Sequence, residues 1–238
     1  MKKHPRPLLP GRLMAAAVPA ALLLAACGGS DDGLPQLSPA TPATLLACTD
    51  LVTKISFPNT TITAATQVTA GTLTVAGKPV PQHCRVTGRM FDRVGPIDGA
   101  KYAIGFEMRL PKNWNGRFFH QGNGGIDGSV ATATGAVNGG SGLTNALNMG
   151  FAVISSDAGH AGSMGPRFGI DPQARLDYGY QAVAKLTPMA KSAIQTAYGK
   201  GPDRSYFGGC SNGGRHSMVA AARAADQYDG FLVGNPGF

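Results

Sequence analysis

Tyr102, Ile104, Phe106, Met108 and Leu110 fall at every second position, with polar or small residues between them. That period of two predicts a strand with one buried face. Gln67–Val75 and Cys84–Phe91 read as two more strands, and Gly116-Arg117-Phe118-Phe119-His120 enters another. Phe151–Ser155 is a short, unalternating apolar run, the pattern of a central parallel strand covered on both faces. The pattern then turns helical. Asp171 as N-cap and Pro172 at the first helical position open a helix that is expected to reach about Tyr198, kinked at Pro188. Tyr206-Phe207, an alanine-rich stretch from Arg215 to Ala225 and Phe231-Leu232-Val233-Gly234 complete a strand, turn, helix, strand sequence. From Leu45 onward the chain reads as one α/β unit without internal repeats.

The turn in that last unit carries the chemistry. Gly209-Cys210-Ser211-Asn212-Gly213 has the G-x-S-x-G spacing of a nucleophile elbow. A serine on a sharp strand-to-helix turn is strained. Side chains two residues to either side would collide with each other or with the neighbouring strand, so both positions are expected to be glycine. In a chain with 34 glycines the pattern also arises by chance, and a glycine-rich structural turn is the alternative. The flanking strand and helix favour the elbow. Ser211 is the candidate nucleophile, and the backbone N–H of Asn212, at the start of the helix, is the first candidate oxyanion donor. The second donor is expected in a loop after an earlier strand, and Gly122-Asn123-Gly124-Gly125 follows Phe118-Phe119-His120-Gln121.

The first residues change the picture of where the protein works. Lys2, Lys3, Arg6 and Arg12 precede an apolar stretch, Leu13–Ala26, that is too short for a stable membrane span. Leu24-Ala25-Ala26-Cys27 has the form of a lipobox, so residues 1–26 read as a lipoprotein signal peptide with Cys27 as the lipidated residue. An ordinary cleaved signal with an incidental Cys27 is the alternative. Residues 27–44, rich in Pro, Ser, Thr and Ala, read as a flexible linker. Export to the periplasm or outer membrane of a diderm bacterium, or beyond it, is expected. The formal charge is +8, and removing the four basic residues of the first 26 leaves +4. With no basic run interleaved with aromatics, nucleic acid is excluded as a partner, and membrane contact is expected only through the lipid.

Further segments resemble one family. The elbow Gly209-Cys210-Ser211-Asn212-Gly213-Gly214-Arg215, together with Trp114-Asn115-Gly116-Arg117-Phe118-Phe119, Asp157-Ala158-Gly159-His160, Phe168-Gly169-Ile170-Asp171-Pro172 and Tyr228-Asp229-Gly230, resembles the tannase and feruloyl esterase family from about Cys48 onward. The resemblance implies an α/β-hydrolase fold and hydrolysis of carboxylic esters of aromatic acids, such as a gallate, a ferulate or a terephthalate monoester. It implies Gly125, with Gly124 beside it, as the second oxyanion donor. At position 212 this chain has Asn where a family member has Glu; the donor is backbone, so the role survives although substrate preference need not. The resemblance also implies that Cys210 is disulfide-bonded to a cysteine beside the catalytic histidine, a partner that is not in this sequence. Cys210 is an alternative nucleophile, disfavoured because Ser211 holds the apex and Cys210 is expected toward the sheet. The resemblance supports a Cys48–Cys84 disulfide; a buried thiol at each site is the alternative.

A base and an orienting acid are not evident. In α/β-hydrolases they follow the serine, and after Ser211 there remain only His216, Asp226 and Asp229. His216 lies within the elbow helix, five residues on from the serine, and is expected to be a surface or helix-packing histidine. Asp226 and Asp229 are expected at the helix–strand turn, and Asp157 and His160 in a structural loop near the cleft. His83 and His120 have no evident partner. Because family members run further, the resemblance implies an N-terminal portion that stops after the strand following the nucleophile helix. The acid, the histidine, the lid domain and its calcium site would then lie beyond Phe238, with no cofactor in this chain. An open sheet of this kind is expected to expose an apolar edge and to aggregate. The competing classes are a catalytically inactive lipid-anchored domain and a hydrolase of another acyl class, such as a lipase.

Overall fold

The computed structural model describes residues 38–136 and 144–237; the signal segment, Cys27 and the linker as far as residue 37 lie outside the described residues. In chain order the elements are β1 (Ala43–Thr44), α1 (Leu51–Lys54), β2 (Thr60–Val68), β3 (Thr74–Val75), β4 (Lys78–Pro79), β5 (His83–Val94), β6 (Lys101–Pro111), β7 (Asn113–Trp114), β8 (Arg117–Gly122) and β9 (Ala152–Ser156). They continue with α2 (Pro172–Leu176), α3 (Ala182–Tyr198), β10 (Arg204–Cys210), α4 (Asn212–Arg223) and β11 (Gly230–Gly234).

Seven strands form one mixed sheet in the order β11–β10–β8–β9–β6–β5–β2. The four from β9 to β11 are parallel, and β6, β5 and β2 continue the sheet antiparallel. The run read as a central strand is β9. It is buried along its whole length, in the middle of the sheet. The period-two positions of β6 all face the core. Ile104, Phe106, Met108 and Leu110 share a core with α3, whose Leu186, Met189, Ala190, Ala193 and Ile194 are fully buried, while Tyr102 packs with Phe168 and Ala174. Each large apolar side chain buried this way is worth about 1.5–3 kcal/mol. The opposite face of the sheet packs against Val80, Ala133, Ala146 and Leu147 from a hairpin and a loop.

Two boundaries differ from the sequence pattern. The span Gln67–Val75 is not one strand: it holds the end of β2, Thr60–Val68, and the short β3, Thr74–Val75. The Thr-rich stretch of β2 pairs antiparallel with β5, and the chain then turns at Gly71 (φ 83°). The helix begins as expected, with the Asp171 carboxylate accepting from the Ala174 N–H at 2.7 Å. It then runs through a π-helical turn at Asp177–Gln181 and continues past Pro188 as one α-helix, ending at Gly199 in the left-handed region (φ 77°). The irregularity is therefore the π-turn and not the proline. Within the stretch read as linker, β1 pairs with β7, and the Thr41 N–H donates to Asp203 at 2.7 Å.

Candidate active site

β10 delivers Ser211, and β10, α4 and β11 follow one another as a parallel β-α-β unit. Ser211 has φ 58° and ψ −121°, a conformation that costs a non-glycine residue of order 1–3 kcal/mol. The surroundings enforce it. The Ser211 N–H donates to the Gly234 carbonyl, and its carbonyl accepts from the N–H groups of Arg215 and Gly237, each at 3.0 Å. A Cβ on Gly209 would lie 2.6 Å from the Gly122 carbonyl oxygen, and one on Gly213 would overlap that same oxygen. Both glycines of the motif are therefore required, by the last residue of β8. Ser211 is exposed and, with Cys210, Gly122, Asn123 and Gly124, borders a cavity of about 260 Å³.

Two sources of backbone N–H groups flank the serine. Asn212 is the first residue of α4, where an N–H has no intrahelical acceptor. The loop after β8 brings Gly124 to the cavity wall; Gly125 follows it, exposed, at φ 65° with open space at the Cβ position. That loop is fastened at both ends. Asn123 Nδ2 donates to the Ser156 carbonyl at 2.7 Å and Ser155 Oγ at 3.0 Å, and the Gly128 N–H donates to the Asp157 carbonyl at 3.0 Å.

The side chain of Asn212 is turned inward and saturated. Its Oδ1 accepts from Tyr178 Oη at 3.0 Å and Arg215 Nε at 2.8 Å, and its Nδ2 donates to Asp127 Oδ2 at 2.7 Å. Donors on one side and a carboxylate on the other fix the amide orientation. The same Asp127 oxygen accepts from His216 Nε2 at 2.8 Å. Asp127 is not distinguished by the sequence pattern; it sits in a Gly-rich loop, in the left-handed region (φ 57°) that Asp tolerates. Its partners lie 85 and 89 residues away, so no local signal marks it.

Among the described residues no histidine hydrogen-bonds to Ser211. Of the two readings of His216, surface or helix-packing, the structure shows the second: it is buried and bonded to Asp127. His83 and His120, which showed no partner in the sequence, both have hydrogen-bond partners. His83 Nδ1 meets the Pro81 carbonyl at 2.8 Å and its Nε2 meets Arg109 at 2.6 Å. His120 Nδ1 meets Tyr228 Oη at 3.0 Å, and complete burial pushes its pKa down to about 3. His160 stacks on Phe168 with ring centroids 3.7 Å apart, and burial lowers its pKa. Asp157 accepts from the N–H groups of Gly105 and Gly159, while burial raises its carboxyl to about 7. Asp229 ties the start of β11 to β10, accepting from the Ser205 N–H at 2.8 Å. Cys48 and Cys84 form a disulfide that joins the segment before α1 to β5, far along the sheet from Ser211.

The model of the family described as tannase and feruloyl esterase matches residues 84–238. The mono(2-hydroxyethyl) terephthalate hydrolase of Piscinibacter sakaiensis is 41% identical over 192 residues, covering 76% of this chain and 32% of its own. Feruloyl esterase B of Aspergillus niger is 30% identical over 195 residues, covering 79% and 35%. The crystal structure of feruloyl esterase B from Aspergillus oryzae superposes with a TM-score of 0.66 at 28% identity, over 80% of this chain and 37% of that one. The chain thus spans about a third of the length of the curated relatives it matches. With the matched residues running from β5 through the elbow to the end of the sequence, this chain belongs to the tannase and feruloyl esterase family, a family of carboxylic ester hydrolases.

Proposed function

We propose that this chain carries the nucleophile of an exported serine esterase that acts on carboxylic esters of aromatic acids, of feruloyl, galloyl or terephthalate-monoester type. The observation that carries the reading is Ser211 itself. It is exposed, strained, and placed between β10 and the N-terminus of α4, the arrangement of an α/β-hydrolase elbow. Ser211 Oγ attacks the ester carbonyl, and the carbonyl oxygen takes up the negative charge. The Asn212 N–H and the N–H of Gly125, with Gly124 beside it, stabilise that charge. The alcohol then departs and water hydrolyses the acyl-serine. The names of the similar proteins support an aromatic acyl group.

The base and the orienting acid of this esterase are proposed to come from outside the described residues, since His216 is engaged with Asp127. Among the described residues no group of three His, Cys, Asp or Glu side chains is arranged to hold a metal. A lipid on Cys27 would anchor the protein in the periplasm or at the outer membrane; no helix of the described residues is long and apolar enough to cross a membrane. The second reading is a catalytically inactive lipid-anchored domain, which the lack of a described histidine at Ser211 favours.

Hydrolysis of methyl ferulate, methyl gallate and mono(2-hydroxyethyl) terephthalate by the purified chain, each beside Ser211→Ala, tests this. Turnover that disappears in Ser211→Ala supports the esterase and shows that a base is supplied within these residues, against the assignment above. No Ser211-dependent turnover removes the catalytic reading for this chain alone and leaves the second.

A further inference from the structure

Asp127 links the two elements that carry the proposed oxyanion donors. It belongs to the loop that carries Gly125, two residues away, and its Oδ2 binds the side chain of Asn212, whose own N–H is the other donor. The carboxylate is almost completely buried, with 2% of its side chain exposed. The same oxygen also holds His216 Nε2 on the next turn of α4, so one atom fastens two successive turns of the elbow helix to the loop. The other polar group of Asn212 is held from α4 and the π-turn by Arg215 and Tyr178. Apart from this carboxylate, loop and helix meet through a long hydrogen bond from Asn212 Nδ2 to the Asn123 carbonyl, at 3.5 Å, and through the close backbone approach of Gly213 to Gly122 and Asn123.

We infer that Asp127 is a positioning residue that sets the separation of the two oxyanion donors, acting through Asn212 and His216 without touching the ester. This inference rests on the proposed assignment of those donors. An oxyanion hole works because its N–H groups are fixed before charge develops, and a donor displaced or mobile loses most of that stabilisation. A carboxylate suits the task because one oxygen accepts two N–H bonds at once, and charge-assisted bonds are about twice as strong as neutral ones.

The test uses the full chain carrying Asp127→Ala, Asp127→Asn or Ser211→Ala, with amide hydrogen exchange of peptides covering 122–128 and 211–216 and steady-state turnover of methyl ferulate. In Asp127→Ala, exchange at both segments accelerates together by at least about tenfold while peptides of β5 and β6 keep their rates, and kcat falls by about ten- to a hundredfold with KM little changed. Asp127→Asn keeps one acceptor and falls between the two, and it decides the matter if the alanine variant does not fold. Unchanged exchange at either segment, or acceleration spread equally over β5 and β6, overturns the inference. Unchanged kcat alongside accelerated exchange overturns the oxyanion role. If the wild-type chain shows no turnover that Ser211→Ala abolishes, the esterase reading fails on its own, and the exchange measurement still decides whether Asp127 couples loop and helix.

Discussion

The carbonyl oxygen of Gly122 sits where a side chain on Gly209 would begin: a Cβ there would lie 2.6 Å away. The elbow and the loop after β8 are thus in backbone-to-backbone contact, which is why the serine turn and its candidate oxyanion loop are built as one piece. Gly209→Ala must push that loop back. The expected outcome is loss of Ser211 reactivity toward an aryl phosphonate together with a lower melting temperature, read by labelling and calorimetry on the same sample. A variant with wild-type labelling would show that the loop yields freely.

Asn212 presents an acceptor to Tyr178 and Arg215 and a donor to Asp127. Asn212→Asp keeps the shape but sets a second carboxyl oxygen against Asp127, where like charges repel. It is expected to destabilise more than Asn212→Ala, by roughly 1–3 kcal/mol beyond it, because a buried acceptor is left facing an acceptor. Urea unfolding of the two variants measures the difference, and adding Asp127→Asn to Asn212→Asp should recover part of it.

The Cys48–Cys84 bridge closes a sequence separation of 36 residues. In the chain-entropy description it contributes about 4 kcal/mol, chiefly by restricting the unfolded chain. Paired Cys48→Ser and Cys84→Ser substitutions should lower the unfolding free energy by about 2–4 kcal/mol, measured by denaturant titration.

Buried titratable groups set opposing pH limbs. His120, pushed down to about 3 by burial, and His83, also lowered by burial, stay neutral in the fold. The contribution of each is complete above the unfolded value of about 6.5 and is lost as pH falls below it, for His120 toward about 3. Asp157, raised to about 7 by burial, has the opposite sign. The folded state holds a proton that the unfolded chain releases above about 4, so stability is lost as pH rises from about 4 to 7. Melting temperatures from pH 4 to 8 should therefore show Asp157→Asn gaining on the wild type as pH rises, and His120→Phe gaining as pH falls below about 6.5. Parallel curves would contradict both assignments.

β11 is the last strand of the sheet on its side, and Leu232 and Val233 are 54% and 40% exposed. Beside them an apolar cavity of about 620 Å³ is lined by Phe119, Phe151, Tyr206, Phe231 and Leu232. Such an edge invites association. The 238-residue chain is expected to scatter light at micromolar concentration, and Leu232→Lys to reduce the scattering; a monomeric, cooperative melt of the unaltered chain would contradict this.

Periodicity within a few residues was enough to locate β6, β9, the Asp171 cap and the elbow. Alternation, a capping side chain and a glycine-flanked serine are local demands that each segment meets by itself. The family, too, is legible in short motifs around Trp114, His160 and Ser211. Decisions made between distant segments were not legible. The extent of β2 was set by pairing with β5, and the helix kept its course at Pro188 because it is buried against the sheet along most of its length. The partners of His83 and His120 came from neighbouring strands and a helix. Above all, Asp127 acquired its place only when the loop after β8 met α4. A hydrogen bond bridging 85 residues leaves no period in the sequence, because what selects it is the geometry of two backbones brought within van der Waals contact.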